Sequence, residues 1–243
     1  MTSISKCYAH KINKHFLKYH ATWIPIEPVE LGDYGFMRNG VFISEGNIYI
    51  DNELKLRKRT IKPHCDNTIL YCEKSCNISD LDISASHVIK GNLVVGFNKG
   101  HSIFFKASGI SFNDIKNKDE LCKHLIDRFK RNAWYLDYHV VTRVEKFDNA
   151  IIAISDNQKS KFKLELSASC IENLNIESPS AGFKFKDKSN IEHVYEVHNG
   201  SVMLMLSKLE DIRTKGLVLK TICYESRKER FVNMFRSHSS MYS

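Results

Sequence analysis

The sequence predicts an α+β fold, a twisted antiparallel sheet with a basic amino-terminal helix and one central helix, on three observations. Apolar residues recur at helical spacing in two main stretches, one near the amino terminus and one around residue 121. Elsewhere apolar and polar residues alternate with a period of two, as in KFKLELSA at 161–168. Turn residues such as NKG at 98–100 and DNQKS at 156–160 separate the alternating runs. The chain has 243 residues and 42% hydrophobic content, enough to bury one sizeable core. It divides into a single α+β domain over 1–215 and a tail over 216–243.

The elements follow in order. In SISKCYAHKINKHFLKYH, Tyr8, Ile12, Phe16 and Tyr19 form one helical stripe, with Lys11, Lys14 and Lys18 on the opposite side. Pro25 and Pro28 then forbid regular helix, and Gly32 and Gly35 mark turns. Strands are expected at Val41 to Ile43, Ile48 to Ile50, Ile83 to Ile89, Leu93 to Phe97 and Ile103 to Ala107, the last two joined as a hairpin through NKG. Leu121, Leu125, Phe129 and Ala133 define the central helix, with Asn117 and Glu120 spaced for a capping box. From Tyr138 to Ala168 a second hairpin is expected, with turns at 148–149 and 156–160 and its most buried run in AIIAIS. Phe183 and Phe185 alternate with lysines, VMLML at 202–206 reads as a buried strand, and LVLKTICY as an apolar strand in the tail.

Charge narrows the partners. The formal net charge is +8 and the isoelectric point about 9.0, which attracts polyanions such as nucleic acid or acidic lipid headgroups. KLRKRTIK packs Lys55, Arg57, Lys58, Arg59 and Lys62 into eight residues; a solvated edge strand is the plain alternative. Seven cysteines in no disulfide-like spacing, and an amino terminus without a continuous apolar core, point to a reducing cytoplasm. No stretch reaches the roughly 20 apolar residues of a spanning helix.

Enzyme chemistry is thin, and the expectation is a protein without enzymatic activity, cofactor or metal. His64, Cys65, Cys72 and Cys76 lack the paired spacing of a zinc site. Asp33, Glu53 and Lys55 loosely match an acid followed by Glu-x-Lys that holds a divalent metal in nucleases, a pattern that arises by accident in a chain this rich in Lys and Glu. Nucleophile-elbow, phosphate-loop and dinucleotide signatures are absent, and GHS at 100–102 reads as a turn.

A basic amphipathic first helix, WIPIEPV, a central helix, YHVVTRVEKFDNAIIAIS leading to KFKLELSASC, and NGSVMLMLSKLEDI come in an order that resembles the pore-forming domain of gasdermins. The VVT-x-V strand at 140–144 and the glycine-led strand at 200–209 carry it most closely, while GDYGFMRNGVFISEGNIY has no counterpart. The resemblance implies a cytoplasmic protein that moves to the inner membrane face on activation, binds acidic lipid and assembles into homo-oligomers through β-hairpins. The implied lipid contacts are Lys11, Lys14 and Lys18, joined by Lys55, Arg57, Lys58, Arg59 and Lys62. The implied inserting hairpin carries Val140, Val144, Ile152, Ile154, Phe162, Leu164 and Leu166, strands that alternate as a lipid-facing barrel requires. Cys7 is the positional match to a lipid-modified cysteine, and Cys170 to a reactive one; for both, a small half-buried residue is the plain reading.

An apolar strand face needs cover before insertion, and the tail supplies a candidate in Leu217, Val218, Leu219, Phe231, Met234 and Phe235. An activating protease would find Arg213, Lys215, Arg227 and Lys228. A tail integral to the core is the alternative. Two further classes stand beside this reading: a nucleic-acid-binding or nuclease-like defence protein, using KLRKR with Tyr34, Phe36 and Tyr49 as stacking groups, and a plain interaction module.

Overall fold

The computed structural model describes residues 4–23, 28–49, 56–61, 68–72, 76–83, 91–155, 159–166, 183–189, 191 and 193–223. Its helices are α1 (Ile4–His15) and α2 (Lys118–Lys130). The larger sheet has nine strands: β1 (His20–Ala21), β2 (Asp33–Arg38), β3 (Val41–Asn47), β4 (Lys58–Ile61), β5 (Thr68–Cys72), β8 (Ile103–Ile115), β9 (His139–Ile154), β12 (His193–Ile212) and β13 (Gly216–Thr221). The smaller runs β11–β10–β7–β6 and comprises β6 (Cys76–Ile83), β7 (Gly91–Phe97), β10 (Ser160–Leu166) and β11 (Phe183–Ser189). The α+β class and the antiparallel pairing are as the sequence predicts.

Three long strands, β8, β9 and β12, form the spine, with β9 between the other two along most of its length. The AIIAIS run is buried throughout in β9, as its composition requires. Beyond β8, β4 and β5 form one outer edge; beyond β12, β1 and β13 form the other. The hairpin β2–β3 joins the start of β9 through Tyr34 opposite Val140. Its turn is Asn39-Gly40, both at positive φ (55° and 83°), and this pair is a type I′ signal in the sequence, where the strand expectation reached only Val41 to Ile43. The expected strand at Ile48 is instead a turn. The Asn47 side chain accepts from the Tyr49 N–H and donates to the Leu31 carbonyl and the Asp33 carboxylate, closing the strand before Ile48. Gly35 does not turn either; it lies inside β2, where a Cβ would strike the Ile43 carbonyl across the hairpin.

The helices cover opposite halves of the large sheet. Tyr8, Ala9 and Ile12 of α1 are buried with Ile103, Phe105, Phe147, Ile152, Ile154 and Met203. Leu121 and Leu125 of α2 are buried with Trp134, Val140, Val144, Leu204 and Leu206. The α2 stripe ends sooner than its spacing predicts, since the helix stops at Lys130 and Ala133 is exposed. The capping box also resolves differently: the Asn117 amide donates to the Glu120 carboxylate, while its oxygen accepts from the Arg57 N–H rather than from the helix.

Candidate functional site

The two expected hairpins are not hairpins. β7 and β8, on either side of NKG, pair with different partners in different sheets, and so do β9 and β10, on either side of 155–159. The two chain runs lie beside each other instead. β8 pairs with β9 from Ile103↔Ile154 to Asp114↔Arg143, and β7 pairs with β10 from Phe97↔Ser160 to Gly91↔Leu166. Residues 91–115 therefore pair with 139–155 and 159–166 as the two runs of one antiparallel ribbon, closed by the α2 connection and turning where it passes between sheets.

Hydrogen bonds hold the bend. His101 donates its N–H to the Ser155 carbonyl (2.6 Å) and Ser155 donates to the Ser102 carbonyl (2.9 Å). The Ser155 hydroxyl donates to Lys99 O (2.8 Å) and accepts from the Ser102 N–H (2.8 Å). GHS thus serves as a turn, with His101 at φ 60°. The Phe162 ring fastens the smaller sheet over the larger, 5.9 Å from Phe97 and 5.2 Å from Phe104. Cys7 is half-buried at the same place, its thiol 3.5 Å from the His101 carbonyl.

A second irregularity lies within the ribbon. The Asp148-Asn149 pair, expected as a turn, is passed by β9 without reversal, but the ladder omits Gly109 opposite Asp148. Gly109 has φ +66° and no room for a Cβ beside the Asp148 carboxylate. The strands change face there: Phe147 shares the α1-side core with Ala150, Ile152 and Ile154, three and more residues on. Val140 and Val144 accordingly belong to the α2-side core, and Ile152 and Ile154 to the α1-side core. The residues expected on one inserting hairpin lie on a single run of the ribbon, but divide between its faces. Leu164 and Leu166 continue that run opposite Leu93 and Gly91.

Where the α1-side core ends, a row of polar groups continues along the same face. The Tyr19 hydroxyl donates to Glu145 Oε1 (2.7 Å), and Asp114 Oδ2 accepts from both Arg143 (3.2 Å) and Arg59 (2.9 Å). The Arg143 guanidinium also lies 4.3 Å over the Phe112 ring. Burial raises the Glu145 carboxyl above its ordinary value, with the Tyr19 hydrogen bond pulling the other way, and burial likewise raises the Tyr19 hydroxyl. Asn13 adds a further tie from α1, accepting the Ala21 N–H (3.2 Å).

The row links the two cationic segments. Lys14 and Lys18 are exposed and Lys11 is half-exposed around the end of α1; Arg57, Lys58 and Arg59 are exposed at the edge strand β4. Two of the latter are engaged, Arg59 with Asp114 and Lys58 at 4.1 Å over Tyr49. Lys55 and Lys62 lie outside the described residues. Of the expected stacking aromatics, Tyr49 adjoins this segment, under Lys58. Tyr34 and Phe36 pack on Tyr138 at 5.4 and 4.7 Å.

Asp33 has a structural role, accepting from the Asn47 side chain (2.7 Å) and the Glu30 N–H (2.8 Å). Glu53, His64, Cys65 and Cys170 are outside the described residues, and among the described residues no cluster of His, Cys, Asp and Glu is grouped to hold a metal. Arg213 and Lys215 are exposed in the β12–β13 turn. The first residues of the expected tail belong to the large sheet. β13 pairs with Ser207 to Ile212, Ile222 donates to Leu206 O (2.8 Å), and Ile222 O lies 3.2 Å from His20 Nε2. Arg227, Lys228, Phe231, Met234 and Phe235 lie outside the described residues. No described helix is long and apolar enough to cross a membrane.

No protein-family model and no curated protein matches the chain. Among solved structures, a bacterial gasdermin from Bradyrhizobium tropiciagri aligns over 88% of this chain and 90% of that chain, with 12% sequence identity and a TM-score of 0.30, a weak structural resemblance.

Proposed function

We infer that the protein is a membrane-acting effector that binds acidic lipid through the cations around α1 and inserts the bent ribbon after activation. The observation that carries this reading is the ribbon itself. Its two runs keep their mutual ladder on both sides of the bend, so straightening it breaks packing between sheets while the pairing within the ribbon persists. Each run exceeds the roughly ten residues of a spanning strand, and strands inside a bilayer must satisfy their backbone groups by pairing. Homo-oligomers would supply the pairing that a single ribbon lacks at its edges. The sequence resemblance to gasdermin pore-forming domains points the same way.

Activation is proposed at the tail. Because Gly216–Thr221 is a strand of the large sheet and Ile222 is tied to Leu206, the segment after Cys223 is the better candidate for a removable inhibitor, and a protease acting near Arg227 and Lys228 for its release. The test compares the full chain with a chain ending at Cys223 for sedimentation with phosphatidylserine vesicles and release of trapped dye. The shorter chain, still folded by circular dichroism, should leak dye. Reversing Lys11, Lys14 and Lys18 to Glu should weaken vesicle binding by roughly 100-fold or more, from about 1 kcal/mol per cation. A folded short chain that neither binds nor leaks would sink the proposal, and an oligonucleotide shift without vesicle binding would favour nucleic acid instead.

A further inference from the structure

A cleft of about 480 Å³ is lined by Ser5 at the start of α1, by Trp23, Pro28 and Val29, and by the β2–β3 hairpin. Its size falls within the range of small-molecule sites. The walls are apolar and held in place from behind: the Trp23 ring rests 5.7 Å from Tyr8 and 5.9 Å from Tyr195, and Phe42 is anchored in the core at 5% exposure. Ile43 keeps 39% of its surface open, an aliphatic side chain of β3 left without full cover. Among the described lining residues the charge is a single cation, Arg38, beside the Asn39-Gly40 turn that fixes the hairpin tip, with no carboxylate in the lining. Ser5 lines the cleft at the α1 side. The Cys7 thiol lies 3.5 Å from the His101 carbonyl at the ribbon bend, and Cys7 is not among the described residues lining the cleft.

We propose that this cleft binds a single-chain amphiphilic anion, an acyl chain ending in a carboxylate or phosphate, with the chain against Trp23, Val29, Phe42 and Ile43 and the head on Arg38. An apolar wall with one cation at its margin complements this ligand shape. A wholly polar anion would leave the wall wet, and a neutral hydrocarbon would leave Arg38 without a counter-charge. Binding here does not require membrane activity, so the two readings stand or fall separately.

The test is calorimetric titration of the full chain with dodecanoate, dodecyl phosphate, dodecanol and inorganic phosphate, each below its micelle-forming concentration. Dodecanoate and dodecyl phosphate should each saturate one site, dodecanol should bind at least about tenfold more weakly for want of a charge-assisted bond, and inorganic phosphate should give no saturable heat. Arg38→Glu and Ile43→Asp, both at exposed positions and checked by circular dichroism, should each abolish dodecanoate binding. Absence of saturable binding to the native chain would overturn the proposal, as would binding that persists in both folded variants.

Discussion

The large sheet is closed differently on its two sides. On the α2 side, Leu121, Leu125, Trp134, Val140, Val144, Leu204 and Leu206 form an apolar contact, and α2 is also the covalent connection between the ribbon's two runs. On the α1 side, Tyr8, Ala9 and Ile12 cover half of the face, and the other half is held by Tyr19, Glu145, Arg143, Asp114 and Arg59. Apolar closure depends on area buried and is little affected by ionic strength, whereas half-exposed ion pairs are screened. The difference makes the α2 side a closure insensitive to salt, and the polar row beside the α1-side core one that salt can weaken.

The largest effect should come from breaking the α2 side. Leu125→Ala leaves a cavity in a fully buried position and should cost about 3 kcal/mol in a urea melt, with the same value at low and high salt. Asp114→Asn should cost about 2 kcal/mol, less than a fully buried pair because the Arg143 and Arg59 side chains keep 24% and 48% of their surface. That deficit should shrink in about 1 M salt. A salt-independent loss at Asp114, or a salt-dependent one at Leu125, would erase the distinction between the two sides.

Much of the apolar core was legible in the sequence because it obeys one period at a time. The first half of the α2 stripe (Leu121 and Leu125), AIIAIS and most of VMLML are local patterns, and each became the expected buried element. The ribbon was not legible, because strand pairing is a long-range choice. NKG and DNQKS mark reversals, and a reversal between two alternating runs has the same residues whether the runs then pair with each other or turn a corner into separate sheets. The polar row was also missed: Tyr19, Asp114 and the Arg143–Glu145 stretch are far apart in the chain, and Glu145 and Arg143 read as the wet face of an amphipathic strand. The signal available was that β9 alternates poorly there, with Thr142, Val144 and Glu145 all buried.

The face change at Gly109 tests whether the two sides are mechanically separate. Gly109→Ala forces a side chain into left-handed backbone beside Asp148 and should cost between roughly 1 and 2 kcal/mol. Because Ile152 and Ile154 are positioned by that change of face, hydrogen exchange should quicken at 150–154 and in α1 while α2 stays protected. Equal loss of protection in both helices would show that the sheet responds as one unit.

The smallest effect separates the polar latch from the rest by its sign with pH. Tyr19→Phe removes one hydrogen bond and should cost about 1 kcal/mol. Burial raises the Glu145 carboxyl above its ordinary 4.5, so the folded chain holds that proton more tightly than the unfolded chain. The associated stability is present below the ordinary value and is lost as pH rises through the folded value. The Tyr19 bond counteracts part of that rise, so removing it lifts the carboxyl further and deepens the loss on the alkaline side. Tyr19→Phe should therefore cost more at about pH 7 than at about pH 4, and in a Glu145→Gln background the cost should become independent of pH in this window. His20, whose value burial lowers from 6.5, acts in the opposite sense, since the unfolded chain takes up that proton first as pH falls. That background slope is common to both proteins, so the difference between Tyr19→Phe and the parent chain reports the latch alone; a cost that grows toward acid would mean that Glu145 is not the acceptor that matters.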